Sequence, residues 1–208
     1  MKHTLSLLTL VAASSAFAQT APNISKKPVL QHSVEVAYVA SSSTQAAVDD
    51  IEGYSLAARA YVWQHVFVAL EYYTGMTDTA VPSPADIDYN RFGYGLGATF
   101  QVGSGQFSAS YTLGKMEEET DASGTEKSDQ DRISLTYAQA YGNSLTVSLG
   151  VTQFLNDGVD DATAVILGVG YDFRNGFSVG VSYSPDSADI GDDGVSEDTF
   201  SLGAKYSF

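Results

Sequence analysis

The sequence predicts an all-β chain that closes into an antiparallel, up-and-down transmembrane β-barrel of ten strands, with eight strands as the alternative count. Three observations lead to this fold class. Apolar residues recur at every second position, which is the period of a strand with two different faces. The connections between these segments alternate between short turns and long loops. Most of the 25 acidic residues fall in or beside the long loops, so the two ends of the barrel differ in charge.

The alternation is clearest in the segment that begins at residue 89. Phe92 and Tyr94 share one face of this strand, whereas Gly93, Gly95 and Gly97 share the other. Most segments contain about 10 residues, the length that a tilted strand needs to cross a bilayer. In chain order the predicted strands are 30–40, 51–62, 66–75, 89–102, 106–118, 131–141, 144–155, 163–173, 177–184 and 198–208.

The connections predict which end of each strand faces which side of the membrane. Short turns are expected at 63–65, 103–105, 142–143 and 174–176, and they fall on the same side as the two chain termini. Short turns on one side and long loops on the other are typical of bacterial membrane barrels. The long loops are expected at 41–50, 76–88, 119–130, 156–162 and 185–197.

A soluble antiparallel sandwich is the alternative fold, because its strands also carry one apolar face. The polar face of a sandwich meets bulk water and usually carries many Lys, Glu and Asp side chains. In this sequence that face carries mainly Gly, Ser, Thr and Ala, which suits a narrow enclosed lumen. The small side chains therefore favour the barrel.

The N-terminus predicts export. Lys2 and His3 precede an apolar run from Leu5 to Ala13, and small residues, Ala16 and Ala18, follow it at the spacing of a cleavage site. This order is typical of a cleaved signal peptide, and the run is shorter than the ~20 residues of a retained helical anchor. The predicted organisation is a signal peptide over residues 1–18, a periplasmic tether over 19–29 and the barrel over 30–208.

The C-terminus points to a family. The chain ends inside a strand, with Ser201 and Gly203 followed by Tyr206 and the terminal Phe208. This pattern resembles the insertion signal of bacterial outer-membrane proteins, and the chain is similar to the porin-like and opacity-like group of small outer-membrane β-barrels. The resemblance implies location in the bacterial outer membrane, contact with its lipid and lipopolysaccharide, and recognition by the barrel-assembly machinery. Many members of this group have eight strands, so the alternative count stays open.

Few charged residues lie within the predicted strands, and strand parity directs them into the lumen. A cation on the lipid face costs about 2–4 kcal/mol at mid-bilayer, so an inward position is expected. Arg59 and Glu71 are equidistant from one short turn and are predicted to pair. Glu35 and Lys205 can meet only if the first strand closes onto the last. These charges form either a constriction or a structural plug of ion pairs, and the full inward set is Glu35, Arg59, Glu71, Arg91, Arg132, Asp172 and Lys205.

Acidic pairs in the predicted extracellular loops are candidate sites for divalent cations, shared with lipopolysaccharide phosphates. The alternative is that these carboxylates only keep the loops soluble, and no loop has the full spacing of a calcium-binding loop. The candidate residues are Asp49, Asp50, Asp160, Asp161, Asp192 and Asp193.

The composition excludes several other functions. A net charge of −15 makes nucleic acid an unsuitable partner. The chain has no Cys and its His32 and His65 lie away from the long loops, so no catalytic residue, cofactor or protein metal site is predicted and the protein is not expected to be an enzyme. The predicted function is a narrow, porin-like channel that prefers cations because its loops are acidic. The alternative is a non-conducting barrel, structural or adhesin-like, that acts through its extracellular loops.

Overall fold

The computed structural model describes residues 31–43, 50–78, 87–120, 124–156, 162–173, 175–185 and 197–208. These residues form one closed barrel in which each strand pairs antiparallel with its sequence neighbours and the first strand pairs with the last. The strands are β1 (Ser33–Ser43), β2 (Asp50–Tyr61), β3 (Val66–Asp78), β4 (Ile87–Val102), β5 (Gly105–Thr120), β6 (Gly124–Tyr141), β7 (Leu145–Asn156), β8 (Ala162–Asp172), β9 (Phe177–Ser184) and β10 (Glu197–Ser207). The prediction of ten strands is confirmed, and the alternative of eight is excluded.

The two faces of each strand match the predicted alternation. Along β9, exposed and buried residues alternate without a break. Large apolar side chains such as Leu96, Leu149 and Leu202 are about half exposed on the outer surface. An apolar outer band of this kind is stable only against lipid. Among the described residues, no helix has the length and apolar character needed to cross a membrane.

Tight turns connect the strands at the end of the barrel where β1 begins and β10 ends. Gly103 and Gly142 adopt positive φ angles of 62° and 63° in the turns after β4 and β6, a conformation that favours glycine. At the turn before β9, the Phe177 amide donates to Oδ1 of Asn175 at 3.0 Å. The short connections were therefore predicted correctly. Of the long connections, residues 44–49, 79–86, 157–161 and 186–196 lie outside the described residues.

The third long loop is where the predicted boundaries are wrong. Residues 119–130 were expected to form a loop, but β5 continues to Thr120 and β6 begins at Gly124. On this hairpin Lys115 faces Asp129, and Glu117 forms an ion pair with Lys127. Opposite charges on facing strands stabilise a sheet without apolar residues. The apolar alternation is missing from the sequence because this part of the hairpin extends beyond a span of about 10 residues.

The barrel closes along the contact between β1 and β10. Glu35 lies opposite Lys205, as expected if the first strand meets the last. The seam continues to the end of the chain, where the His32 amide donates to the carbonyl of Phe208 at 3.0 Å and the Phe208 amide donates back at 2.9 Å. Closure satisfies the backbone groups of both terminal strands, so these strands leave no open edge in the bilayer.

Candidate functional site

The inward-facing wall has two chemically different halves. From β7 to β10 it carries mainly glycine and small hydroxyl side chains, which include Ser148, Thr152, Ser178, Ser182, Thr199 and Ser201. From β1 to β6 it also carries many large side chains, whereas from β7 to β10 the large fully buried side chains are Phe154 and Ile166, so the expectation of a face of mainly Gly, Ser, Thr and Ala holds better for the second half than for the first. Large buried side chains from β1 to β6 include Phe67, Tyr73, Tyr89, Arg91, Met116 and Arg132.

Hydroxyl groups on the small-residue half are arranged for hydrogen bonding between strands. Ser134 and Thr152 lie 3.0 Å apart across β6 and β7, and Ser182 and Ser201 lie 2.7 Å apart across β9 and β10. Each hydroxyl can donate and accept, so this wall can satisfy polar groups of either kind.

Paired glycines make room for the large side chains on the other half. Gly93 on β4 lies opposite Gly114 on β5, and the Arg91 side chain passes over both. A Cβ atom added at Gly114 would lie 2.6 Å from Nη2 of Arg91, and one added at Gly93 would lie 3.0 Å from Nη1. The guanidinium group therefore lies flat against the wall in a shallow cradle. Sequence reasoning identified these glycines as inward-facing but missed their role.

Glu71 connects strands that are not neighbours. Its Oε2 atom lies 3.3 Å from Nη1 of Arg91 on β4, and it also forms an ion pair with Arg132 on β6. Arg91 additionally donates to the carbonyl of Gln130 at 3.4 Å. Because Arg132 reaches over β4 and β5 to contact β3, these three charged residues form one layer across this part of the wall.

The predicted ion pair between Arg59 and Glu71 is wrong. Glu71 lies opposite Ala57 on β2 and Gly93 on β4, and the missing side chain at Gly93 leaves space toward β4 and its arginine. The Arg59 guanidinium instead lies 4.2 Å from the centre of the Phe67 ring, in a cation–π contact. Equal distance from the turn indicated that the two residues are close, but it did not identify their partners.

An apolar cluster lies on the long-loop side of the charged layer. Tyr73 lies opposite Arg91, and Tyr89 is the next inward residue of β4 toward the long loops. The Tyr73 ring extends over Gly53 and Gly75, which face each other on β2 and β3. The cluster consists of Val39, Ile51, Tyr73, Ile87, Tyr89 and Met116.

A row of charged residues lies near the end of the barrel that carries the short turns. Lys205 faces Glu35 on one side and Ser178 on the other, and Ser178 in turn faces Asp172. Glu35 and Lys205 are 3% and 6% exposed. Among the described residues, neither carboxylate oxygen of Glu35 accepts a hydrogen bond. Its stabilisation therefore depends on nearby positive charge.

The residues of the insertion signal are divided between the two faces of β10. Ser201 and Gly203 point inward and are buried, whereas Tyr206 and Phe208 point outward and are exposed. Gly203 lies opposite Ala37, and a Cβ atom added to it would lie 3.1 Å from that of Ala37. The glycine thus allows the first and last strands to pack closely.

The outer rim combines tyrosines with carboxylates. Tyr111 donates to Asp131 at 2.5 Å and Tyr183 donates to Asp198 at 2.8 Å. Further out, Glu118 lies directly opposite Glu126 on the hairpin of β5 and β6. Partial burial, together with the negative charge of Glu126, raises the pKa of Glu118.

The candidate cation-binding acids are mostly outside the described residues. Asp50 is exposed at the start of β2, whereas Asp49, Asp160, Asp161, Asp192 and Asp193 lie in the parts that the structure does not describe. Within the described strands and turns, no group of three or more acidic or histidine side chains could hold a metal ion.

Comparison with known proteins supports the fold and decides the family. A family model described as the outer membrane protein beta-barrel domain matches residues 4–208. The chain belongs to this family. It is an outer-membrane β-barrel of the porin-like or adhesin-like type, and it is located in the bacterial outer membrane. The resemblance noted at the C-terminus is thereby confirmed.

Solved structures of other membrane barrels resemble this member of the family. The NanC porin has a TM-score of 0.51 at 11% identity, over 83% of this chain and 98% of that one. Ail, the attachment invasion locus protein of Yersinia pestis, has a TM-score of 0.39 at 16% identity, over 86% and 98%. Neisserial surface protein A has 0.41 at 13%, over 86% and 96%. No curated protein sequence matches the chain. At 11% identity the NanC likeness concerns the fold alone.

Proposed function

We propose that this outer-membrane barrel is a narrow passive channel. The observation that carries the proposal is the polar inner wall from β7 to β10, where Ser, Thr and Gly occupy most inward positions within a closed barrel. A barrel that served only as a membrane anchor would be more stable with an apolar core, because buried polar groups add little net stability. A wall lined with hydroxyl groups can form hydrogen bonds with water and with small polar solutes.

The layer of Glu71, Arg91 and Arg132 is the proposed constriction. The carboxylate and the two guanidinium groups lie against one side of the lumen and contact each other across three strand positions. Ions would then pass between this layer and the hydroxyl-lined wall opposite, and the residues of both would determine which ions are excluded. We expect conductance steps much smaller than those of large porins, since a barrel of this size has a narrow interior.

We propose a preference for cations, which follows from the charge of the outer face. The described part of the hairpin carries Glu117, Glu118, Glu119, Glu126 and Asp129 against Lys115 and Lys127. An excess of one charge at a pore mouth concentrates ions of the opposite sign. These residues are largely exposed, so the preference should weaken as salt concentration rises.

The test is reconstitution of the refolded full chain in planar bilayers under a KCl gradient. We expect small conductance steps and a reversal potential on the cation side at low salt. Neutralising Glu117, Glu118 and Glu126 together by substitution with Gln should move the reversal potential toward zero. Glu52→Gln, which removes one acid elsewhere on the outer surface, is the matched control. Folded protein without any conductance steps would exclude the channel, and anion preference would exclude the proposed selectivity.

The second candidate is a non-conducting barrel that binds a partner through its extracellular segments. The observation that favours it is the length of β5 and β6, 16 and 18 residues, against the roughly 10 that cross a bilayer. This hairpin presents backbone and charged side chains outside the membrane. Replacement of residues 117–127 by a short turn should then abolish binding to cells while the barrel still folds. Binding that survives this replacement excludes the hairpin as the binding element.

The remaining expectations belong to the same proposal. We propose that residues 1–18 are removed during export, that residues 19–29 form a periplasmic tether, and that the barrel-assembly machinery recognises the outward-facing Tyr206 and Phe208. The protein would act without catalysis or a cofactor. Mass spectrometry of the mature N-terminus tests the first of these statements, because cleavage after Ala18 places Gln19 at the start of the chain.

A further inference from the structure

The contact between β1 and β10 differs from every other strand contact, because it must form between the two ends of the chain. All other neighbouring strands are joined by a turn or a loop, which restricts their register. No connection restricts β1 against β10. The register of this seam therefore has to be specified by the side chains along it.

Most inward-facing pairs on the seam are too small to specify a register. Ser33 lies opposite Ser207, Ala37 opposite Gly203 and Ser41 opposite Thr199. Shifting one strand by two residues would replace these small pairs with other small pairs, at little cost in packing. Strand contacts of this composition are prone to slippage.

Glu35 and Lys205 are the exception. They face each other in the native register, both point inward, and both are buried. A shift by two residues would place Glu35 opposite Gly203 or Ser207, and it would place Lys205 opposite Ala37 or Ser33. A shift by one residue would turn the shifted charge toward lipid. Each alternative register leaves a buried charge without its partner, which is costly in a medium of low dielectric constant.

The surroundings of Glu35 increase the difference in free energy between the native register and the shifted registers. Its carboxylate accepts no hydrogen bond and forms no ion pair within 4.0 Å among the described residues, so only the longer-range attraction of Lys205 and Arg59 offsets its burial. Arg59, on the other neighbouring strand, faces Ser33 and is the next inward residue from the position opposite Glu35. Glu35 thus has a cation diagonally across the β1–β2 contact and requires its second cation directly across the seam.

We propose that the Glu35–Lys205 pair sets the register in which β1 closes onto β10, and that it is a determinant of barrel assembly. Lys205 lies within the C-terminal insertion segment, on the face opposite Tyr206 and Phe208. The outward face of β10 is then available to lipid and assembly factors, while its inward face selects the correct position of the first strand. This role holds whether or not the lumen conducts ions.

The absence of cysteine from the chain allows the register to be measured by disulfide trapping. Val36 and Ala204 face each other on the outer surface of the seam, so Val36→Cys with Ala204→Cys reports the native register. Val36→Cys with Leu202→Cys reports a shift by two residues. Both pairs are made in the full chain, expressed in a bacterial host and oxidised in isolated outer membranes, and the cross-linked fractions are compared on gels.

The charge variants are then introduced into both reporters. Glu35→Gln and Lys205→Gln should each raise the ratio of shifted to native cross-link by about fivefold or more. The double variant Glu35→Gln with Lys205→Gln leaves no charge unpaired across the seam, so it should fold and should also raise this ratio, because charge then no longer selects the register. Asp172→Asn is the matched control, since it removes an acid from the same inward row away from the seam, and it should leave the ratio unchanged.

The proposal is overturned if both single variants keep the native ratio, or if Asp172→Asn raises the ratio as much as Glu35→Gln. If a single variant gives no folded barrel, the double variant decides. Folded, heat-modifiable protein with a raised ratio of shifted to native cross-link supports the proposal. A native ratio in the double variant, or a double variant that does not fold when Asp172→Asn folds normally, overturns it.

Discussion

The guanidinium group of Arg91 lies against Gly114 on the neighbouring strand, so closely that a Cβ atom there would lie 2.6 Å from Nη2. The same added atom would lie 2.5 Å from the carbonyl oxygen of Gln130, which accepts a hydrogen bond from Arg91. The Arg91 side chain can therefore take this position only because Gly114 has no side chain.

Gly114→Ala should destabilise the barrel by about 1–3 kcal/mol, because both the arginine and the backbone of β6 must move to admit the methyl group. Urea unfolding in detergent micelles measures the change. Gly150→Ala is the control, since its added Cβ would lie 3.1 Å from the movable side chain of Thr136 and at an ordinary contact distance of 3.8 Å from Cβ of Ile166. Equal stability of the two variants would contradict the inference that the Arg91 guanidinium group needs the space left by Gly114.

Glu71→Gln should destabilise the barrel by about 3–5 kcal/mol, because it leaves the buried guanidinium groups of Arg91 and Arg132 without their shared carboxylate. The matched control is Glu117→Gln, which removes one partner of the exposed ion pair with Lys127 and should change stability by less than about 1 kcal/mol. Thermal unfolding followed by circular dichroism compares the two. A loss no larger than that of the control would show that the layer contributes little to stability.

The hairpin of β5 and β6 should become more stable as the pH falls. The pKa of Glu118 is raised in the folded protein, so the folded state binds this proton more tightly than the unfolded state does. Stability of the hairpin is therefore highest below the unfolded value of 4.5 and decreases as the pH rises above it. Hydrogen exchange of the hairpin amides, corrected for intrinsic rates, should show more protection at pH 5 than at pH 7.

Glu126→Gln should reduce this pH dependence, because it removes the negative charge opposite Glu118. Glu119→Gln is the control, since Glu119 faces Thr125 rather than another acid. The inference that Glu126 destabilises the ionised form of Glu118 is wrong if the exchange protection of the hairpin in the native protein does not change with pH. It is also wrong if the two substitutions change the pH dependence of this protection equally.

Leu149→Arg should lower the stability of the folded barrel in lipid vesicles by about 2–4 kcal/mol, because it places a cation on the outer face at the middle of β7. Gln64→Arg introduces the same residue in the exposed turn between β2 and β3, where the cost should be small. Guanidinium unfolding in vesicles gives both values. A smaller cost at Leu149 than at Gln64 would place the lipid-facing band elsewhere.

The number of strands and the pairing of β1 with β10 were predictable, because both depend on the alternation of inward and outward residues. This alternation can be read directly from the sequence. Glu35 and Lys205 follow from that parity once the barrel is closed. The partners of Glu71 did not follow, because they depend on how far Arg132 reaches across the two intervening strands. The length of β6 was also missed, since the residues after Gly124 are polar on both faces and pair through charge rather than apolar contact.

The strands of the barrel differ greatly in length. β6 has 18 residues and β9 has 8, which at about 3.3 Å per residue corresponds to roughly 59 and 26 Å along the strand. Among the described strands, the carboxylates of the β5–β6 hairpin therefore stand farthest from the bilayer, on the side of the barrel that carries Arg91 and Arg132. A charged particle that descends along this side passes a negative zone and then a positive one.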